Sequence, residues 1–349
     1  MSLFRDVFNS DARLMHKCFS ALNEASLTRL HEFTSRDLNN LAYSMAILGI
    51  ADERIMRGIF DELLKNSIAN STSNRVFAGS ELSVIIYCLA TLNLGPTLKN
   101  NEIEILTQYL NSAVAGDRGV HFQDFELLNL TWGAVVLGTY PIEILKKLVD
   151  VWKHAGPGRW ERQQEGALLY IQTLCQIDDN CEFDFPTLVT GTFADEDETE
   201  DGPSHLQSSK FQISVMEVLK KIVPKCVKED TNIEDEHLVD FMYVDIAIPE
   251  HRLCIECDGP SHYCIPLHDD DLMFSEIRKA DNDSSSVWSL RCNWINGSTE
   301  LKDRILKLRG WRVIHVPYWE WSAARRMGRG AAEDYLTNLI LSAELTTSN

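Results

Sequence analysis

The chain has 349 residues, 44% of them hydrophobic and 24% charged, which fits a folded protein of about two domains and excludes wholesale disorder. No apolar run approaches the ~18 residues that a membrane span needs, so the chain reads as soluble, with no membrane insertion. The formal charge of −19 is uneven: residues 177–206 hold 10 acidic and no basic side chains, whereas the last 49 residues hold 8 basic against 5 acidic. That balance argues against nonspecific coating of nucleic acid and leaves room for one local basic face near the C-terminus.

Nine cysteines at scattered spacings read as reduced thiols in a reducing compartment. At the N-terminus, Arg5, Arg13 and Lys17 are accompanied by Asp6, Asp11 and Glu24, which breaks the acid-poor pattern of a transit peptide. Either no such leader is used or it is already missing from this chain.

The first half repeats. Phe33, Leu38, Leu41, Tyr43, Ala46 and Leu48 recur 44 residues later as Phe77, Leu82, Ile85, Tyr87, Ala90 and Leu92. A further step of 45 gives Phe122, Leu127, Leu130, Trp132, Val135 and Leu137. The spacings predict a helix in each unit, starting near Ser35, Ser80 and Gln123. A second apolar helix follows each time, at Ile59–Leu64, Ile103–Leu110 and Ile142–Val149. Two helices per ~44 residues predict an α-solenoid over residues 1–176, with residues 3–30 as the tail of an eroded unit and 160–175 as a cap. Tyr43, Tyr87 and Trp132 are expected in the core. An alternative use of the units has Asn39, Asn40 and Asn129 read unpaired bases.

Residues 177–204, with the run Asp195–Pro203, read as a solvated acidic linker, or alternatively as a strip for docking partners. From 205 to 349 the pattern changes to α/β. Phe211–Val223 is an amphipathic helix, and Met242–Ile248 and Leu253–Asp258 form a hairpin. A helix then runs from Ser298/Thr299 to Gly310, Trp311–Val316 is a third strand, and Tyr318–Trp321 leads into a final helix through Tyr335–Leu341. Residues 264–294, polar and acidic, read as an exposed insert. Cys254 and Cys257 have CxxC spacing, but strand alternation points them to opposite faces, which disposes of a zinc site.

Asp245, Glu256 and Asp258 are acids placed mid-strand among Val, Ile and Leu, a costly position unless something meets them. A hard cation such as Mg²⁺ would do so. Backbone amides, Lys302 and nearby arginines would do so equally. Lys302, Arg304, Lys307, Arg309, Arg312, Arg325, Arg326 and Arg329 form a basic cluster, and with Tyr318 and Trp319 they are candidates to clamp phosphates and stack unpaired bases.

Val244–Ile248, Ile255–Tyr263, Gly297–Lys302 and Gly310–Trp321 together resemble the RAP domain, a module named for RNA binding and abundance in apicomplexans. The upstream repeats resemble those of FAST-kinase-like and octotricopeptide-repeat proteins. The resemblance implies a restriction-endonuclease-like α/β fold after the solenoid. It also implies work on mitochondrial, or alternatively plastid, RNA in processing, stability or translation. Similarity of RAP to PD-(D/E)xK nucleases implies Asp245, Glu256 and a lysine as catalytic residues, with Mg²⁺ as cofactor if the chain cleaves. Asp258 stands at the lysine position, which leaves Lys302 as the substitute, and no cofactor is otherwise expected. An RNA-binding protein is therefore the expectation. The alternatives are a metal-dependent endoribonuclease, and a structural part of a ribonucleoprotein whose acidic surface meets basic protein partners.

Overall fold

A computed structural model describes residues 12–65, 77–115, 120–155, 159–190, 209–226, 231–267 and 294–345. The run Asp195–Pro203, most of the polar insert and the first residues of the N-terminal segment lie outside these. Two compact units result, one of residues 1–189 with 263–301 and one of residues 190–262 with 302–349.

The first unit contains α1 (Ala12–Leu27), α2 (Ser35–Leu48), α3 (Glu53–Leu64), α4 (Gly79–Thr91), α5 (Asn100–Val114), α6 (Asp124–Val136), α7 (Ile142–Ala155) and α8 (Arg162–Ile177). The helices α2, α4, α6 and α8 pack in that order as one layer, and α1, α3, α5 and α7 follow one another as a second. Each of α2, α4 and α6 starts in the same way. The backbone N–H groups of Thr34, Ala78 and Gln123 donate to the carboxylates of Asp37, Glu81 and Glu126, at 2.9, 3.0 and 2.9 Å. Each acid sits in the first helical turn, where it also opposes the positive end of the helix dipole. Thr34, Ala78 and Gln123 are thus the N-caps, so α2 begins at Ser35 as expected and α4 at Gly79, one residue before Ser80.

Leu38, Leu82 and Leu127 are buried at matching places, as the repeat requires. Gly133 lets α6 approach α4 closely, since a Cβ there would stand 2.9 Å from the Ile86 carbonyl oxygen. The repeated aromatics correct the expectation of a common core role: Tyr43 is 53% exposed, Tyr87 is 38% exposed and only Trp132 is buried. Tyr87 packs on Trp132 with ring centroids 5.0 Å apart, so the aromatics line a helix face and grade from open to covered.

Residues 263–267 and 294–301 belong to this unit too. The strand β1 (Ile50–Ala51) pairs in parallel with β5 (Ile265–Pro266). Ile50, Ile265 and Leu267 make a small core with Phe19 and Leu48. The Trp294 indole N–H donates to the Leu92 carbonyl at 2.7 Å. The ends of the insert are therefore not exposed loop as expected: Cys264, Ile265 and Leu267 are buried, and their amides donate to the carbonyls of Trp294, Gly49 and Ala51.

The second unit holds α9 (Lys210–Cys226) and a four-stranded sheet of β2 (Glu234–Val239), β3 (Met242–Ile248), β4 (Leu253–Asp258) and β6 (Arg312–Pro317), in that order. Neighbours β2, β3 and β4 are antiparallel, and β6 is parallel to β4. The parallel step needs a crossover, which α10 (Gly297–Leu308) supplies, and the division between the units falls within it. The predicted final helix is two, α11 (Tyr318–Met327) and α12 (Arg329–Leu345), separated at Gly328 with φ +117°. One sheet face packs Ile246, Ile248, Leu253, Ile255, Cys257, Ile314 and Val316 against α9, α11 and α12. The opposite alternation places Asp245, Cys254, Glu256, Asp258 and His315 on the other face.

Candidate functional site

The strand register gathers the acidic residues. Ile246 faces Ile255 across β3 and β4, so Asp245 stands beside Glu256, and Glu256 in turn pairs with His315 across β4 and β6. Glu236 lies next to Asp245 on the edge strand, in a left-handed conformation at φ +50°. A row of titratable groups thus crosses the whole sheet.

Protein donors meet the carboxylates. Asp245 Oδ2 accepts from the Cys257 amide at 2.6 Å. Glu256, buried, accepts from Lys302 Nζ at 2.8 Å through Oε2, while its Oε1 has no partner among the described residues. Asp258 is fully buried and bonds His315 Nδ1 through Oδ2 at 2.6 Å, with His262 Nδ1 3.5 Å from its other oxygen. His315 Nε2 bonds Asp303 Oδ2 at 2.8 Å, and Lys307 approaches the same oxygen at 3.4 Å. Lys302 and Asp303 of α10 therefore reach across to β4 and β6 as a pair of opposite charges.

These environments shift the groups. Burial lifts the Glu256 carboxyl to about 7 against the opposing pull of Lys302, and Asp245 and Asp258 add to the rise. Burial likewise raises Asp245 despite the Cys257 amide. For His315, burial alone would favour the neutral ring, but the bonds to Asp258 and Asp303 outweigh it and hold the imidazolium up to about 10. The ring is thus a charged strut between two buried carboxylates.

A divalent cation would need oxygens free to turn toward it. One oxygen of Asp245 is held by a backbone amide, one of Glu256 by Lys302, and Asp258 faces His315. Among the described residues no three His, Cys, Asp or Glu side chains converge as a metal group. The residues present do not fit a resident Mg²⁺. The structure brings Asp245, Glu256 and Lys302 together, with Asp258 on the same sheet face, near enough to raise Glu256 and bonded to His315. Asp303 and His315 were not singled out in the sequence. The available signal was alternation: His315 sits between Ile314 and Val316, which face the apolar core, and must therefore face the same side as Glu256.

The basic cluster divides. Lys302 and Lys307 pair with Glu256 and Asp303, and Arg309 Nε donates to Asp240 at 2.6 Å. Arg312 donates to the carbonyls of Ala343 and His251 at 3.2 and 3.0 Å, and Arg329 lies 3.4 Å from Glu333. Arg304 is half-buried, while Arg325 and Arg326 are exposed. Tyr318 and Trp319 are half-buried and meet edge to face at 5.2 Å. Trp321 is core: its indole N–H donates to Ser214 at 2.7 Å, and the Arg325 guanidinium stands 6.0 Å from its ring.

Among the described residues, no helix is long and apolar enough to cross a membrane. No curated protein matches the chain. Residues 255–339, from β4 through most of α12, match the family model of the RAP domain, which is in general an RNA-binding domain; the second half of this chain thus carries a RAP domain, with Asp245 just upstream of the matched stretch.

Proposed function

We propose that the protein binds RNA and acts on organellar transcripts, mitochondrial or plastid, in their processing, stability or translation. The RAP match over residues 255–339 is the observation that carries this reading. Exposed Arg325 and Arg326, on the turn of α11 that precedes Gly328, supply positive charge in a protein whose formal charge is −19. Half-buried Tyr318 and Trp319 begin the same helix, and their rings are the aromatic surface this reading assigns to stacking an unpaired base. The carboxylate row plays an internal part here, anchoring α10 to the sheet.

The test is fluorescence anisotropy of the full chain with labelled organellar-type RNA, comparing wild type with the Arg325→Glu/Arg326→Glu double variant. Affinity is expected to fall at least tenfold, because two phosphate contacts become repulsions. Equal binding by both proteins would remove α11 from the interface. Absence of binding by folded wild type would overturn the reading itself.

A further inference from the structure

An open groove lies in the first unit, where the start of α6 meets the start of α8. It has a volume of about 420 Å³ and is lined by Gln123, Asp124, Phe125, Arg159, Trp160 and Gln164. That size falls within the roughly 300–1,000 Å³ of small-ligand pockets. Two of its features bear on an occupant. Phe125 is 48% exposed although it sits in the first turn of a packed helix. The Trp160 indole N–H is buried and has no acceptor among the described residues, while its ring stacks on Trp152 at 4.5 Å.

We infer that this groove takes one unpaired base of an RNA strand. The lining supplies what a base requires: an aromatic face at Phe125, an N–H donor at Trp160, and two primary amides. The Gln123 side chain makes no capping bond, and Gln164 is oriented by accepting from the Glu161 amide at 2.8 Å. A base ring would cover Phe125, and a shift of the Trp160 side chain on binding would bring its sealed N–H to a carbonyl oxygen or ring nitrogen of the base. Arg159 is ion-paired with Asp124, so the groove offers a planar guanidinium for stacking and no unopposed charge for a phosphate. The chemistry therefore selects the base and leaves the backbone outside.

This inference rests on the RNA-binding reading, and its test separates the two. Single-stranded RNA carrying 5-iodouridine is bound to the full chain, irradiated, and the crosslinked residue mapped by mass spectrometry; anisotropy is measured in parallel on Phe125→Ala and Trp160→Phe. Crosslinks are expected at Phe125 or Trp160. Phe125→Ala should weaken binding about tenfold, as for loss of one stacked base. Because Phe125 is exposed, its melting temperature should not move. Trp160→Phe keeps the ring packed on Trp152 and should weaken binding about fivefold through the lost N–H alone. Wild-type binding with crosslinks elsewhere and unchanged affinity in both variants would overturn the groove while leaving RNA binding intact. No RNA binding by wild type would overturn both.

Discussion

Glu256 illustrates how one residue sets the pH response of this domain. Its carboxyl is raised to about 7 in the folded protein, chiefly by burial, against an ordinary value of 4.5. The folded state thus holds a proton that the unfolded chain releases, and the resulting stability is full below about pH 4.5 and lost as the pH rises through about 7. His315, raised to about 10 from 6.5, works in the same direction but later: its contribution is full below about 6.5 and lost as the pH rises through about 10. Glu256→Gln keeps the shape and an oxygen for Lys302 while removing the titration. Chemical denaturation across pH should show wild type losing on the order of 3 kcal/mol between pH 4.5 and 7 from this group. The variant should lack that fall yet keep the decline between about 6.5 and 10. A variant that still shows the first fall would place the titrating group elsewhere.

At the scale of elements, glycines mark where the first unit packs closest. A Cβ at Gly297, the first residue of α10, would stand 1.9 Å from the Ala90 carbonyl oxygen at the end of α4. Gly297→Ala must shift backbone and should cost about 1–3 kcal/mol. Gly330→Ala in α12 meets open space and should be neutral or stabilising by up to about 1 kcal/mol, so the two melts should move apart. Gly297 belongs to a RAP-like block in the sequence, but its role in helix packing was not legible there. Periodicity exposed what is periodic: the unit spacing of α2, α4 and α6, and the alternation in β3 and β4. The strand β2 escaped because Glu234-Asp235-Glu236 reads as a solvated charge run, whereas acids on an edge strand also discourage pairing with other chains. The ends of the insert escaped because two-residue strands carry too little pattern. For the site, Asp245 and Glu256 stood out as acids among apolar neighbours, but Asp303 and His315 each look like ordinary polar positions until the β4–β6 register places His315 opposite Glu256.

Across the whole molecule, charge bears on how RNA would be held. Most of the basic residues between Lys302 and Arg329 are engaged within the protein, by Glu256, Asp303, Asp240, Glu333 or backbone carbonyls. Contacts of Arg304, Arg325 and Arg326 with RNA would release counterions for three phosphates. With about 0.7 per phosphate for single strands, the slope of log affinity against log salt should be about −2. A protein with a formal charge of −19 gains little from long-range attraction to a polyanion, so stacking and hydrogen bonds must carry the rest. Titrations between low and physiological salt measure this slope. A value near −5 would mean that the internal ion pairs open on binding, and that Lys302 leaves Glu256 to reach RNA. In that case, binding would loosen α10 from the sheet, and hydrogen exchange in Gly297–Leu308 would rise in the complex. A slope near −2, with α10 protection unchanged, would show that the carboxylate row stays closed and that RNA is held outside it.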